Sequence, residues 1–134
     1  PVLDRIDIHQ QLFPLRKAVL RAARAVSGES TVVVRDRVRA ARERQFARLR
    51  GLGWSTNAEV PGPALRSALP LPQGVELLDE AVVRGSLSAR GVDKCLRLAW
   101  TCADLAGRDV PTRDDVRLAL ALRRGETAAV EVTR

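Results

Sequence analysis

The sequence predicts an all-α protein, a helix bundle preceded by one short strand-like segment. Three observations carry that reading: five segments repeat apolar residues at helical spacing, only residues 6–12 alternate with the period of a strand, and capping or stop residues fall at the ends of the helical stretches. The chain has 134 residues, 46% of them hydrophobic, which suffices for one compact core. Its longest run without a charged residue, Ser67 to Val75, is too short and too interrupted by proline to cross a bilayer, so no membrane partner is expected. No targeting segment is visible. The chain opens at Pro1 and contains no Met, from which a piece of a longer protein is expected.

The strand is justified by Ile6 and Ile8 alternating with Asp7 and His9, and because one strand cannot form a sheet alone, its partners are expected elsewhere. Next, Leu15, Val19, Ala22 and Val26 recur at helical spacing before a stop at Ser27-Gly28. Ser30 or Thr31 then caps the longest helix, whose expected apolar stripe is Val34, Val38, Ala41, Phe46 and Leu49. Residues 51–73 hold enough Gly and Pro to break any long element, though Pro63 to Leu69 can form one short helix beginning with proline.

Val75, Leu78 and Val82 mark a further helix ended by Gly85. Ser88 caps the next, with Val92, Cys95, Leu96, Ala99, Cys102, Ala103 and Ala106 at near-ideal spacing, so this helix is expected to be the most buried element. Gly107 ends it, Thr112 with Asp115 forms a capping-box pattern, and Val116, Ala119, Leu120 and Leu122 carry the last helix to about Arg124. A loose tail is expected over residues 125–134. Cys95 and Cys102, seven apart on one helix, are about 10 Å apart along its axis and out of disulfide range. They read as small core residues in a reducing cytoplasm.

Charge is the second theme. The net charge is +7, and 21 of the 23 basic residues are Arg, which either favours polyanionic partners or reflects a GC-rich genome that writes Arg for Lys. The helix from residue 31 carries seven arginines against Asp36 and Glu43. Its positive face is read either as solvated or as a phosphate-contacting surface through Arg42, Arg44 and Arg48. Four aromatics leave little for base stacking, and no recognition-helix or zinc-finger signature is present, so any such contact would be weak and independent of sequence.

Catalysis within the chain has little support. His9 is the only histidine, no Cys pair has metal-ligand spacing, and there is no phosphate-wrapping glycine loop. Two arginines stand out. Arg5 lies between Asp4 and Asp7, which could pair with it and aim its guanidinium. Arg90 follows the Ser88 cap and falls in the first helical turn, where free N–H groups and the helix dipole attract anions. A structural ion pair for Arg5 and a solvated position for Arg90 are the plainer alternatives.

Several motifs together resemble a known family. They are Leu3-Asp4-Arg5-Ile6-Asp7, Gly28-Glu29-Ser30, Val38 to Gln45, Asn57-Ala58-Glu59, Leu87-Ser88-Ala89-Arg90, Leu96-Arg97 and Ala103 to Gly107. In order from Pro1 to about Arg124, the chain resembles the C-terminal region of bacterial magnesium-chelatase-like AAA+ ATPases of the competence-protein M type. Gly91-Val92 departs from the small-then-aromatic pair usual after the sensor arginine, and Trp100 stands where relatives often have arginine.

The resemblance implies that residues 1–12 are the end of the ATPase core and residues 13–124 the AAA+ C-terminal helical lid. It also implies that Arg5 is an arginine finger acting in trans, and that Arg90 is the lid's sensor of the same γ-phosphate. ATP and Mg2+ would bind the full-length protein but not this fragment, and the partners would be an upstream core, further copies in a homo-hexamer and, for the whole ring, DNA branches during transformation and recombination. Magnesium insertion into porphyrin is suggested by the family's name but by none of these residues. The reading from a different class is a freestanding basic helical module that binds DNA or RNA. Should Arg90 not be the sensor, Arg84 or Arg97 is next.

Overall fold

The computed structural model describes residues 5–10 and 28–126. Five α-helices follow in chain order: α1 (Thr31–Leu49), α2 (Gly62–Ser67), α3 (Glu76–Val83), α4 (Ala89–Ala106) and α5 (Arg113–Arg124), with one turn of 3-10 helix (Arg50–Leu52) after α1. The all-α expectation holds, and no strand forms among the described residues. The helix expected over 15–26 and the tail beyond Glu126 lie outside them.

The strand expected over residues 6–12 is corrected over its described part, 6–10, which forms no ladder. Alternation gives it a strand's pattern, but among the described residues no second strand is there to pair with it. Instead the segment lies against the helices, with the His9 N–H donating to the Leu122 carbonyl at 2.9 Å.

The centre of the fold is α4. Trp100, Leu96, Cys95 and Ala99 are fully or almost fully buried there, and they pack with Leu49 of α1, Leu65 of α2, Leu78 of α3 and Val116 of α5. Its ends are well defined. Ser88 Oγ accepts the Gly91 N–H at 3.0 Å, while Gly107 closes the helix at φ 74°, a conformation that glycine adopts without strain. Gly91 has a packing reason of its own, because a Cβ there would come within 2.6 Å of Leu87 Cδ1. Leu87 and Val92, either side of the first turn, are both buried, which is the arrangement of a hydrophobic staple. The departure at Gly91 therefore leaves the start of α4 firmly anchored.

Helix α1 corrects the expected stripe. Its buried residues are Ala41, Gln45 and Leu49, whereas Val34, Val38 and Phe46 are exposed. The first ten residues of α1 bury nothing, and its last two turns lie against α4 with a polar residue, Gln45, where an apolar one was expected.

Candidate functional site

Two regions hold the residues of interest. The first is where the end of α1 meets the C-terminal half of α4. Asp104 is 1% exposed and sits in the last turn of α4, where its charge opposes the helix dipole and needs compensation. It receives that from Arg48, whose Nη1 and Nη2 donate to the two carboxylate oxygens at 2.6 and 2.9 Å. Asn57 Nδ2 donates to Asp104 at 3.0 Å and to Thr101 Oγ1 at 3.2 Å, and Gln45 Nε2 completes the set at 3.5 Å. Arg48 also stacks 4.2 Å from the centre of the Trp100 ring. Arg44 donates to the Asp104 backbone carbonyl at 2.9 Å.

This placement changes what the arginines of α1 can offer. Arg48 is turned inward and committed to Asp104, Asn57 and Trp100, and Arg44 is partly engaged at the end of α4. Arg42 is exposed and donates to Gln45 Oε1 at 3.2 Å. Further along the helix, Arg35 pairs with Asp36, Arg37 with Glu29 and Arg39 with Glu43. The dense positive face counted from the sequence is largely partnered. An open cleft of about 490 Å3 between Val38, Arg42, Ala58 and Leu105 lies beside it, with the Asn57–Asp104 network as its floor.

The second region is the start of α4. Arg90 is exposed in the first turn and makes no ion pair among the described residues, whereas Arg97 donates twice to the Val60 carbonyl, at 3.1 and 2.9 Å, and Arg84 pairs with Glu80 at 3.6 Å. Of the three arginines considered as sensor, only Arg90 has no ion pair or hydrogen bond among the described residues, and it stands in the first turn of a capped helix.

Lys94 follows Arg90 by four residues and therefore lies on the same face, about 6 Å further along the axis. Its ammonium donates to the Arg5 carbonyl at 2.8 Å and pairs with Asp7. Arg5 is thus held by its backbone near the end of α4 that carries Arg90, with its own side chain exposed. The expected pairing of Arg5 with Asp7 is replaced, because Asp7 faces Lys94; Asp4 lies outside the described residues. Sequence reasoning missed Lys94, although one of only two lysines, set between apolar Val92 and Cys95, was a signal of a buried cation needing partners. His9 contributes no chemistry beyond its contact with Arg123.

Among the described residues, no group of three His, Cys, Asp or Glu side chains is placed to hold a metal ion, and no helix is long and apolar enough to cross a membrane. Both cysteines are free, with thiols pushed up to about 11 chiefly by burial.

Residues 28–123 match the family described as magnesium chelatase, subunit ChlI C-terminal. Over 124 residues, 92% of its length, the chain is 48% identical to the uncharacterized protein Mb2921c of Mycobacterium bovis. Over the same share it is 34% identical to the uncharacterized protein YifB of Escherichia coli and 32% identical to YifB of Salmonella typhimurium. The aligned region is 24% of each of those proteins, so the chain spans about a quarter of the length of the curated relatives it matches. No solved structure matches.

Proposed function

The chain belongs to the magnesium chelatase, subunit ChlI C-terminal family and folds as its helical lid, and from that membership we propose that it senses nucleotide and supports ring assembly in a magnesium-chelatase-like AAA+ ATPase. One observation carries the proposal: Arg90 stands exposed and unengaged at a capped helix start, on the same face of α4 as the lysine that holds the Arg5 segment. An exposed guanidinium beside free N–H groups suits one phosphate of ATP. In this reading residues 1–12 end the ATPase core, residues 13–124 are the lid, Arg90 reads the γ-phosphate, and Arg5 reaches a phosphate held by a neighbouring subunit of a homo-hexamer. Each cation would stabilise charge that develops on the transferred phosphoryl group. Mg2+ would be held by residues of the full-length protein other than those described. The resemblance to the competence-protein M type extends the proposal to cytoplasmic remodelling of DNA branches by the assembled ring.

The second reading, a freestanding nucleic-acid module, loses support because Arg48 and Arg44 are engaged within the fold. Assembly and binding test the proposal together. A protein of the relatives' full length should form hexamers in ATP, measured by light scattering, and should lose them when residues 1–124 are deleted. The 134-residue chain alone should show no ATP affinity tighter than about 1 mM, since one arginine and one helix end fall short of the contacts a triphosphate needs. Tight ATP binding by the chain alone, or hexamers that survive the deletion, would contradict the assignment.

A further inference from the structure

Lys94 is an anomaly in the packing of α4. It is 8% exposed on the most buried helix of the fold, and a buried ammonium needs partners that repay its lost hydration. Both of its partners belong to residues 5–7: the Arg5 carbonyl at 2.8 Å and the Asp7 carboxylate. Asp7 itself is largely exposed, so the pair has one end sunk into the lid and the other at its surface.

The same segment is fastened a second time a few residues on. The His9 N–H donates to the Leu122 carbonyl at 2.9 Å, and Arg123 donates to the Ile6 carbonyl and meets His9 Nε2 at 3.3 Å. Residues 5–9 are therefore clamped to α4 at one point and to the end of α5 at another. Only the first point bears directly on Arg5, whose carbonyl is the atom held and whose exposed guanidinium leaves from the next atom of the backbone.

From this geometry we infer that Lys94 is a positioning residue for Arg5: it fixes the backbone from which Arg5 extends to the same helical face that carries Arg90, so that a movement of the lid moves both arginines together. The inference rests on the proposed roles of Arg5 and Arg90 and deepens them. It assigns a device by which what Arg90 senses in one place reaches Arg5 in another. The coupling needs no change in the helix itself, because Arg90 and Lys94 are one turn apart on a rigid, capped element.

The test uses a protein of the relatives' full length and the variants Lys94→Met, Lys94→Arg, Arg5→Ala and the double variant Arg5→Ala/Lys94→Met. Met keeps the buried stem and removes the ammonium. Hydrogen exchange of the His9 amide, which donates to the Leu122 carbonyl, should quicken at least about tenfold in Lys94→Met while amides of α4 stay protected. ATP hydrolysis should lose at least about fivefold in kcat with KM within about twofold, because a finger acts on charge present only in the transition state. Lys94→Arg should recover most of both. The double variant should be no slower than Arg5→Ala alone, since Lys94 acts through Arg5.

Unchanged exchange at His9, an unchanged kcat in Lys94→Met, or losses that multiply in the double variant would overturn the inference while leaving the finger itself standing. A wild-type rate for Arg5→Ala would overturn the finger, and the inference with it.

Discussion

Asp104 shows how much a single carboxylate can organise. Placed in the last turn of α4, where the helix dipole disfavours it, it draws Arg48, Asn57 and Gln45 inward and fastens α1 to α4. Removing it would leave the Arg48 cation nearly buried and unpaired, so Asp104→Ala should cost about 3–5 kcal/mol in urea denaturation; a loss under about 1 kcal/mol would mean that the network is not structural. The cysteines give a second residue-scale expectation. With their thiols pushed up to about 11, mainly by burial, very little thiolate is present at pH 8. Alkylation of the folded chain should run at least about 100-fold slower than that of the unfolded chain. Because burial raises the folded value above the ordinary thiol range, the unfolded chain ionises first. Stability from these groups is thus complete at lower pH and is lost as pH rises from about 9 toward 11.

At the scale of the element, α4 was legible and α1 was not. The stripe from Val92 has the helical period, a cap at Ser88 and a stop at Gly107, and it is buried as expected through Ala103, with Cys102 half-buried and only Ala106, in the last turn, exposed. Leu96→Ala should accordingly cost about 2–5 kcal/mol by leaving a cavity. In α1 only Ala41 and Leu49 of the expected stripe are buried, and beside them Gln45 is buried against Asp104, a polar partner 59 residues away that no periodicity reveals. Asn57, Gln45 and Asp104 all lie in motifs that carried the family resemblance, so the resemblance marked the network without explaining it. The strand-like start misled for a related reason, since alternation describes a half-buried extended segment whether it pairs with a strand or lies on helices. Helix α1 also bears on nucleic acid. With Arg44 and Arg48 engaged within the fold, duplex binding should be weak and fall with salt, and two unrelated duplexes should differ by less than about tenfold in affinity. A larger preference would show that α1 reads sequence.

For the whole molecule, the helical bundle, the order of the helices from residue 31 onward and the family were readable from the sequence, whereas the meeting of Arg5 with the Arg90 end of α4 was not. That meeting depends on Lys94 reaching across 89 positions in the chain. In the proposed reading, it lets a helix start that meets phosphate and an arginine-bearing segment move as one body. The claim is tested most directly by the steady-state ATPase rate of a protein of the relatives' full length carrying Arg90→Ala, with its melting temperature measured alongside. The account predicts a rate at least about tenfold lower and a melting temperature within about 2 °C of wild type, because Arg90 is exposed and has no partner among the described residues. Hydrolysis at the wild-type rate would contradict it, and would reduce Arg90 to a solvated residue at a helix start.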